Sequence, residues 1–382
     1  MTSDVVDRLS RELVRDVAPL AGRFVAEMID TGAPYAGTVV PEETLLADAR
    51  RSLELILRLI GRLPVPEHVA GASAEIGAAR AEAGVPLERL LQAVRLDARV
   101  VWDALCRRAG PGDLSSLVAQ APRVWEAVEH HSMGIMAAYQ QRVLEMAQAR
   151  QDERARWFAR LLECDGRHPD IRRQVSTVLG LDEGASFLVV AFPPGRVAAL
   201  RPVRERLGVL DVRTHEQDRP AGSIVVLQVP ERAGPGAAEG WFRGLRCAVS
   251  PAVEGLAEVP RAVRLAELTL YALPPDAAGP TATRDLWPAI AAGTLGEFRT
   301  DLVRDALGGL GKLPDRDVAR VLETVERYLR TGSVAATARQ LYCHRNTVLN
   351  RLRQFAAATG RDVMSSADAT VVTLALRART YE

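Results

Sequence analysis

The side chains best suited to recognition chemistry lie near the carboxyl end. They are the run His344-Arg345-Asn346-Thr347 and, one helical turn on, Asn350, Arg351 and Arg353. Arginine can donate two parallel hydrogen bonds to a guanine edge, and asparagine can pair both its amide groups with adenine. Arg345, Asn346 and Asn350 are therefore assigned to base edges. Ser333, Thr337, Arg339, Thr347, Arg351 and Arg353 carry hydroxyls and cations that suit phosphate oxygens, contacts that position a protein without specifying sequence. His344 fits a phosphate or base contact better than the role of a catalytic base. From Tyr328 through Gly360 there are five arginines and no acidic residue. Each arginine placed on a phosphate would release counterions and steepen the salt dependence of binding.

Local signals supply the elements that must hold these groups. Asp315 to Leu329 has the helical spacing, with Val318, Val321, Leu322, Val325, Tyr328 and Leu329 on one side. Thr331-Gly332 ends that helix, and Ser333 is a natural N-cap for a short second one, Val334 to Leu341. Its alanines allow another helix to cross closely. After Tyr342-Cys343 a third helix begins at His344 and turns Val348, Leu352 and Phe355 inward. A short helix, a tight turn and a second helix with polar N-terminal residues is the helix-turn-helix plan, in which the second helix enters the major groove of duplex DNA.

Upstream the chain divides by pattern. Residues 1 to about 163 read as helical. Leu9, Leu13, Val17, Leu20, Phe24 and Met28 form one stripe, and further helices are expected over Pro41–Leu63, Ser73–Ala83 and from Pro86 to Ala109. Val124 to Glu163 has neither proline nor a strand-like run, and forty helical residues would span about 60 Å. That length suits either a helix packed on its own domain or a dimer-forming connector. Strand-like runs follow at Ser186–Phe192, Val209–Thr214, Ser223–Val229 and Cys247–Ser250. Helical patterns near Arg196–Leu207, Gly236–Leu245 and Pro260–Tyr271 separate them in the order of a ferredoxin-like split β-α-β domain. Leu273 through Pro280 is expected to be an exit linker.

Composition removes several classes of function. The 382 residues carry 49 basic and 48 acidic side chains, a net charge of +1, so any basic surface must be local. The most apolar stretch, Ala185 to Phe192, is far short of the ~20 residues of a bilayer helix. The first residues lack the basic and apolar regions of a secretory signal, and a cytoplasmic protein with no membrane partner is expected. The four cysteines stand singly, without a CxxC pair. Gly308-Gly309-Leu310-Gly311-Lys312 lacks the first glycine and the final Ser/Thr of a phosphate-binding loop. His130 and His131 are adjacent, hence on different helix faces, and cannot share a metal. No metal site, cofactor or catalytic residue is assigned, and the chain is not expected to be an enzyme.

The run Thr331 to Leu352, with its Ala-Ala-Thr-Ala-Arg-Gln-Leu and His-Arg-Asn-Thr-Val segments, resembles the C-terminal helix-turn-helix of PucR/CdaR-family bacterial transcription regulators. Ala306-Leu307-Gly308-Gly309-Leu310 is similar to that family's lead-in, and Asp368 to Arg379 to its closing helix. Tyr342-Cys343 stands where the family usually has His-Val. Pro260 to Leu268 is similar to the closing helix of the family's GGDEF-like domain, although the GGDEF motif is missing and no cyclase chemistry is implied. Ala83 to Ala93 and Val100 to Leu105 resemble the RsbT co-antagonist (RsbRD-type) domain. The resemblance implies a multidomain, mostly α protein. Its parts would be a helical sensor or partner domain (1–123), a connector helix (124–165), a degenerate GGDEF-like α+β domain (166–280) and an all-α helix-turn-helix domain (281–382). It implies a sequence-specific transcription regulator that binds double-stranded DNA; since a single such module buries little surface, a homodimer or higher oligomer is expected. A small-molecule effector or protein partner would act at the N-terminal bundle. The alternative is a partner-switch signalling protein acting mainly through protein contacts of that bundle.

Overall fold

The structure, a computed structural model, describes residues 5–30, 40–195, 200–230 and 240–379. It forms two compact units, Met1–Asp152 and Glu153–Glu382. No helix among the described residues is long and apolar enough to cross a membrane.

The first unit is all helical: α1 Val5–Arg15, α2 Val17–Asp30, α3 Glu42–Ile60, α4 Glu67–Ala70, α5 Ala72–Glu82, α6 Leu87–Arg108, α7 Leu114–Ala119 and the greater part of α8 Ala121–Glu163, whose last residues belong to the second unit. The stripe from Leu9 to Met28 is shared by two helices, because the chain turns at Asp16. Pro19 has no N–H to donate to Arg15, and its ring would press on that carbonyl, so one continuous helix is disfavoured. The core joins Leu9, Leu13, Leu20, Leu53, Ile56, Leu57, Leu90, Val101 and Leu105. Two glycines set how closely α5 and α8 cross. A Cβ on Gly77 would lie 2.2 Å from the carbonyl oxygen of Ile135, and one on Gly134 would lie 2.8 Å from the Cβ of Ser73. The helix α8 is continuous over 43 residues.

The second unit contains α9 Pro169–Leu179, β1 Ser186–Phe192, α10 Arg201–Val209, β2 Thr214–Arg219, β3 Gly222–Gln228, β4 Cys247–Val249, β5 Val253–Glu254, α11 Val259–Tyr271 and β6 Pro280–Ala282. The sheet order is β2-β3-β1-β4-β6. The first four strands of that order pair antiparallel, which is the split β-α-β arrangement, and β6 joins β4 in parallel. The central strand β1 is buried on both faces. Phe187, Val189 and Ala191 pack with Val259, Ala262 and Ala266 on one side, and Leu188, Val190 and Phe192 pack with Val203 and Leu207 on the other.

Two expectations for this region are corrected. The run Val209–Thr214 is not a strand. α10 continues to Val209, Asp211 turns the chain at φ +52°, and the strand starts only at Thr214. This strand, Thr-His-Glu-Gln-Asp-Arg, is polar because it lies at the sheet edge and pairs with β3 alone. Pro280, assigned to a linker, begins the edge strand β6, a position that tolerates proline. Of the helix expected at Gly236–Leu245, residues 236–239 lie outside the described residues, and residues 241–245 form turns and a bend rather than a helix; the start of the helix expected at Arg196 also lies outside the described residues.

The remaining helices of the second unit are α12 Trp287–Thr294, α13 Arg299–Leu307, α14 Asp315–Thr331, α15 Val334–Gln340, α16 Arg345–Thr359 and α17 Ser366–Arg379. Their core contains Leu307, Leu310, Val321, Val325, Ala338, Val348, Leu352, Phe355, Val372 and Ala375. The glycine run Gly308–Lys312 forms a 3-10 turn. A Cβ on Gly309 would lie 2.1 Å from the carbonyl oxygen of Ala358, so a close approach to the end of α16 requires glycine there.

Candidate nucleic-acid interface

Three caps place α14, α15 and α16 in succession. Gly332 takes the left-handed conformation (φ +63°) just past α14, and its N–H bonds the carbonyl of Tyr328. Ser333 then caps α15, its hydroxyl accepting from the N–H of Ala336 at 3.4 Å. At the far end of α15 the N–H of Cys343 donates to Ala338 O (3.0 Å) and that of Tyr342 to Arg339 O (3.3 Å). Those two bonds make a Schellman motif, with Tyr342 at the left-handed position (φ +51°). His344 caps α16, its Nδ1 accepting from the N–H of Asn346 at 3.3 Å. In the neutral ring that bond leaves the proton on Nε2.

Helix α16 is braced from beneath. Val348, Leu352 and Phe355 recur at helical spacing and are buried against α14 and α15. Thr324 of α14 accepts a 3.2 Å hydrogen bond from Arg351 Nη1, which ties the middle of α16 to that helix. The opposite face is open. Arg339, His344, Arg345, Asn346, Asn350 and Arg353 are all exposed. Asn346, Asn350 and Arg353 stand at i, i+4 and i+7, one stripe along α16. Asn350 Oδ1 accepts from Arg353 Nη1 at 3.4 Å, a weak contact that leaves the amide nitrogen available. Arg339, His344 and Arg345 border one shallow depression with Tyr342 and Cys343. The first turn of α16 contains no acidic residue, so its partial positive charge suits an anion.

The ten assigned residues do not all share that face. Thr337 is withdrawn as a phosphate contact. It is fully buried, and its hydroxyl pairs with that of Thr331 at 2.8 Å, fastening the end of α14 to α15. Ser333 is half-buried and occupied as a cap. Thr347 and Arg351 are half-buried at the edge of the open face. One residue the motif reading passed over stands out: Tyr342 is 97% exposed in a conformation that disfavours any side chain with a Cβ. The departure from His-Val was visible in the sequence, but the left-handed turn was not.

Residues 321–378 match the family model described as the PucR C-terminal helix-turn-helix domain. Residues 18–154 match the RsbT co-antagonist protein rsbRD N-terminal domain. The chain thus carries both of these domains. A crystal structure titled Regulator of Polyketide Synthase Expression from Bifidobacterium adolescentis is similar at 22% identity and a TM-score of 0.32, over 60% of this chain and 98% of that one. No curated protein matches. The helix-turn-helix match supports a DNA-binding transcriptional regulator.

Proposed function

We propose that this chain regulates transcription by reading duplex DNA with α16, under control of the domains upstream. The observation that carries the reading is the open face of α16. A helix held rigidly from below presents arginine and asparagine at its exposed N-terminal turns, and no carboxylate lies in the surrounding sequence. In this reading Arg345, Asn346 and Asn350 meet base edges. Arg339, Arg351 and Arg353 meet phosphates, with His344 and Thr347 beside them. Residues 281–382 form the DNA-binding part, residues 1–123 the sensing part, and 124–165 the connector between. A single such module buries too little surface for tight specific binding, so a homodimer or higher oligomer on paired half-sites is proposed. In this reading the chain works by binding rather than by catalysis, and incubation of the full chain with GTP and Mg²⁺ should yield no product.

The test is salt-titrated fluorescence anisotropy on the promoter of its own gene. Arg345→Ala and Asn346→Ala should each weaken specific binding by about 1–3 kcal/mol. Arg353→Ala should weaken all sequences alike and lower the salt slope by about one. Unchanged binding in the first two variants would remove α16 from the groove and favour the partner-switch reading.

A further inference from the structure

Helices α2, α3, α5, α6 and α8 line a cavity of about 40 Å³ in the first unit. Most of its wall is apolar, including Phe24, Met28, Ile76 and Val94. One end holds a polar chain that no motif announced. Ser73 Oγ lies 2.7 Å from His131 Nδ1, His131 Nε2 lies 2.7 Å from Ser52 Oγ, and Ser52 Oγ donates to Asp97 Oδ2 at 3.2 Å. The serine at position 52 has one proton. If it serves Asp97, His131 must donate from Nε2 and accept at Nδ1 from Ser73. Every hydrogen bond then runs toward Asp97. The chain stops there with one vacancy: Asp97 Oδ1 is buried and has no partner among the described residues.

The other charged groups on the cavity are already matched. Asp48 of α3 accepts from Arg80 of α5 at 2.7 Å and from Arg51 at 2.9 Å. His131 of α8 is held neutral, pushed down to about 4 by burial and then by the charge of His130. A buried carboxylate without a donor or cation is costly, and the hydrogen-bond chain already supplies Oδ2. What Oδ1 lacks is a hydrogen-bond donor, and beside it is a space roughly large enough for two or three waters.

We propose that this cavity binds a small ammonium ion, either ammonium itself or a short primary alkylammonium, with its N–H groups on Asp97 Oδ1 and its alkyl end among Phe24, Met28, Ile76 and Val94. Burial pushes the empty site's carboxyl up to about 8, with the Ser52 hydrogen bond opposing. At neutral pH the cation therefore displaces the carboxyl proton, and binding releases a proton to solvent. That the ion acts as an effector rests on the regulator reading above. That it binds does not.

The experiment is isothermal titration of the full chain at pH 7 with ammonium, methylammonium, potassium and tetramethylammonium chlorides at matched ionic strength. Two buffers of different protonation enthalpy report proton release. Ammonium and methylammonium should saturate the site with net proton release, while potassium and tetramethylammonium should not. Asp97→Asn should weaken binding about 30-fold or more. Ala93→Val, which narrows the cavity and leaves the carboxylate in place, should reduce methylammonium binding more than ammonium binding. Absence of saturation, equal binding of potassium, unchanged affinity in Asp97→Asn or no proton release would each overturn the proposal. A promoter-binding assay with and without methylammonium reads the coupling separately. Binding without a change in DNA affinity would count against the effector role alone.

Discussion

His344 and His131 do opposite work with the same ring. Each bonds through Nδ1, His344 accepting from a backbone N–H and His131 pairing with a serine hydroxyl. His344 is exposed and caps a helix whose polar neighbours are left open to solvent. His131 is fully buried, and its second nitrogen must also be satisfied within the protein. Polar groups at the exposed end of α16 cost little while unpaired, because water serves them until another partner arrives. In the bundle, a polar group that finds no partner pays the whole desolvation penalty. The difference teaches where to look for function in each unit. At the surface, it is in which side chains are free together. In the interior, it is in which single atom is left over.

The strongest break in this comparison removes the support rather than the polar groups. Phe355→Ala empties a fully buried aromatic from beneath α16 and should destabilise the second unit's helical core by about 3–5 kcal/mol. DNA binding should fall with it, although no exposed residue has changed. Urea denaturation followed by hydrogen exchange in α14 to α17 measures the loss. A loss below 1 kcal/mol would mean that α16 does not depend on this stripe.

Gly77→Ala is the matching change in the bundle. The new Cβ would meet the backbone oxygen of Ile135, which cannot swing aside as a side chain can, so α5 and α8 must separate. The expected cost is about 1–3 kcal/mol. Separation would also stretch the Ser73–His131 hydrogen bond. The His131 ring resonances in a proton NMR spectrum should therefore move, while those of His344 stay in place.

The legible parts of the protein are those whose signals are local. Val348, Leu352 and Phe355 sit within two helical turns, and Gly332 next to Ser333 marks a stop and a start within two residues, so periodicity and capping disclosed α14 to α16. Thr337 was misread because its spacing fits the open face as well as the packed one, and only the position of Thr331 decides between them. The strand β2 was missed because an edge strand need not be apolar. The Asp97 cluster was hidden for a different reason. Its members come together across 45, 58 and 79 residues of sequence, and nothing near His131 signals that two serines and a carboxyl will meet it.

The buried cluster makes a pH prediction that the exposed end does not share. Asp97 titrates at about 8 in the fold, against about 3.9 when unfolded, so its contribution is complete at low pH and is lost as pH rises toward 8. His131, lowered to about 4 from about 6.5, works the other way and is lost as pH falls from 6.5 to 4. His215 in the second unit, also lowered to about 4, changes only over that same range. Between pH 6.5 and 8 the Asp97 slope stands alone. The first unit should lose up to about 2 kcal/mol across that window, at roughly 1.4 kcal/mol per pH unit. Asp97→Asn should abolish the loss. Equal slopes in the two proteins, measured by urea denaturation with hydrogen exchange in α3, α5 and α6, would show that the carboxyl does not titrate there.

The smallest expected effect concerns Tyr342, where strain and exposure coincide at the open end. A non-glycine residue in the left-handed region costs about 1–2 kcal/mol, and this ring recovers nothing by packing, since 97% of the residue is exposed. Glycine relieves the strain but adds freedom to the unfolded chain, so Tyr342→Gly should stabilise the domain by only about 0.5–1 kcal/mol. An exposed strained residue persists where it serves something outside the fold. It borders the same depression as Arg339, His344 and Arg345, and a phenol there can donate to a phosphate oxygen. Stability and DNA affinity should therefore move in opposite directions in this variant, with the melting temperature rising and promoter binding weakening. If both rise together, or affinity does not change, the tyrosine contributes only to the turn, and the open face ends at His344.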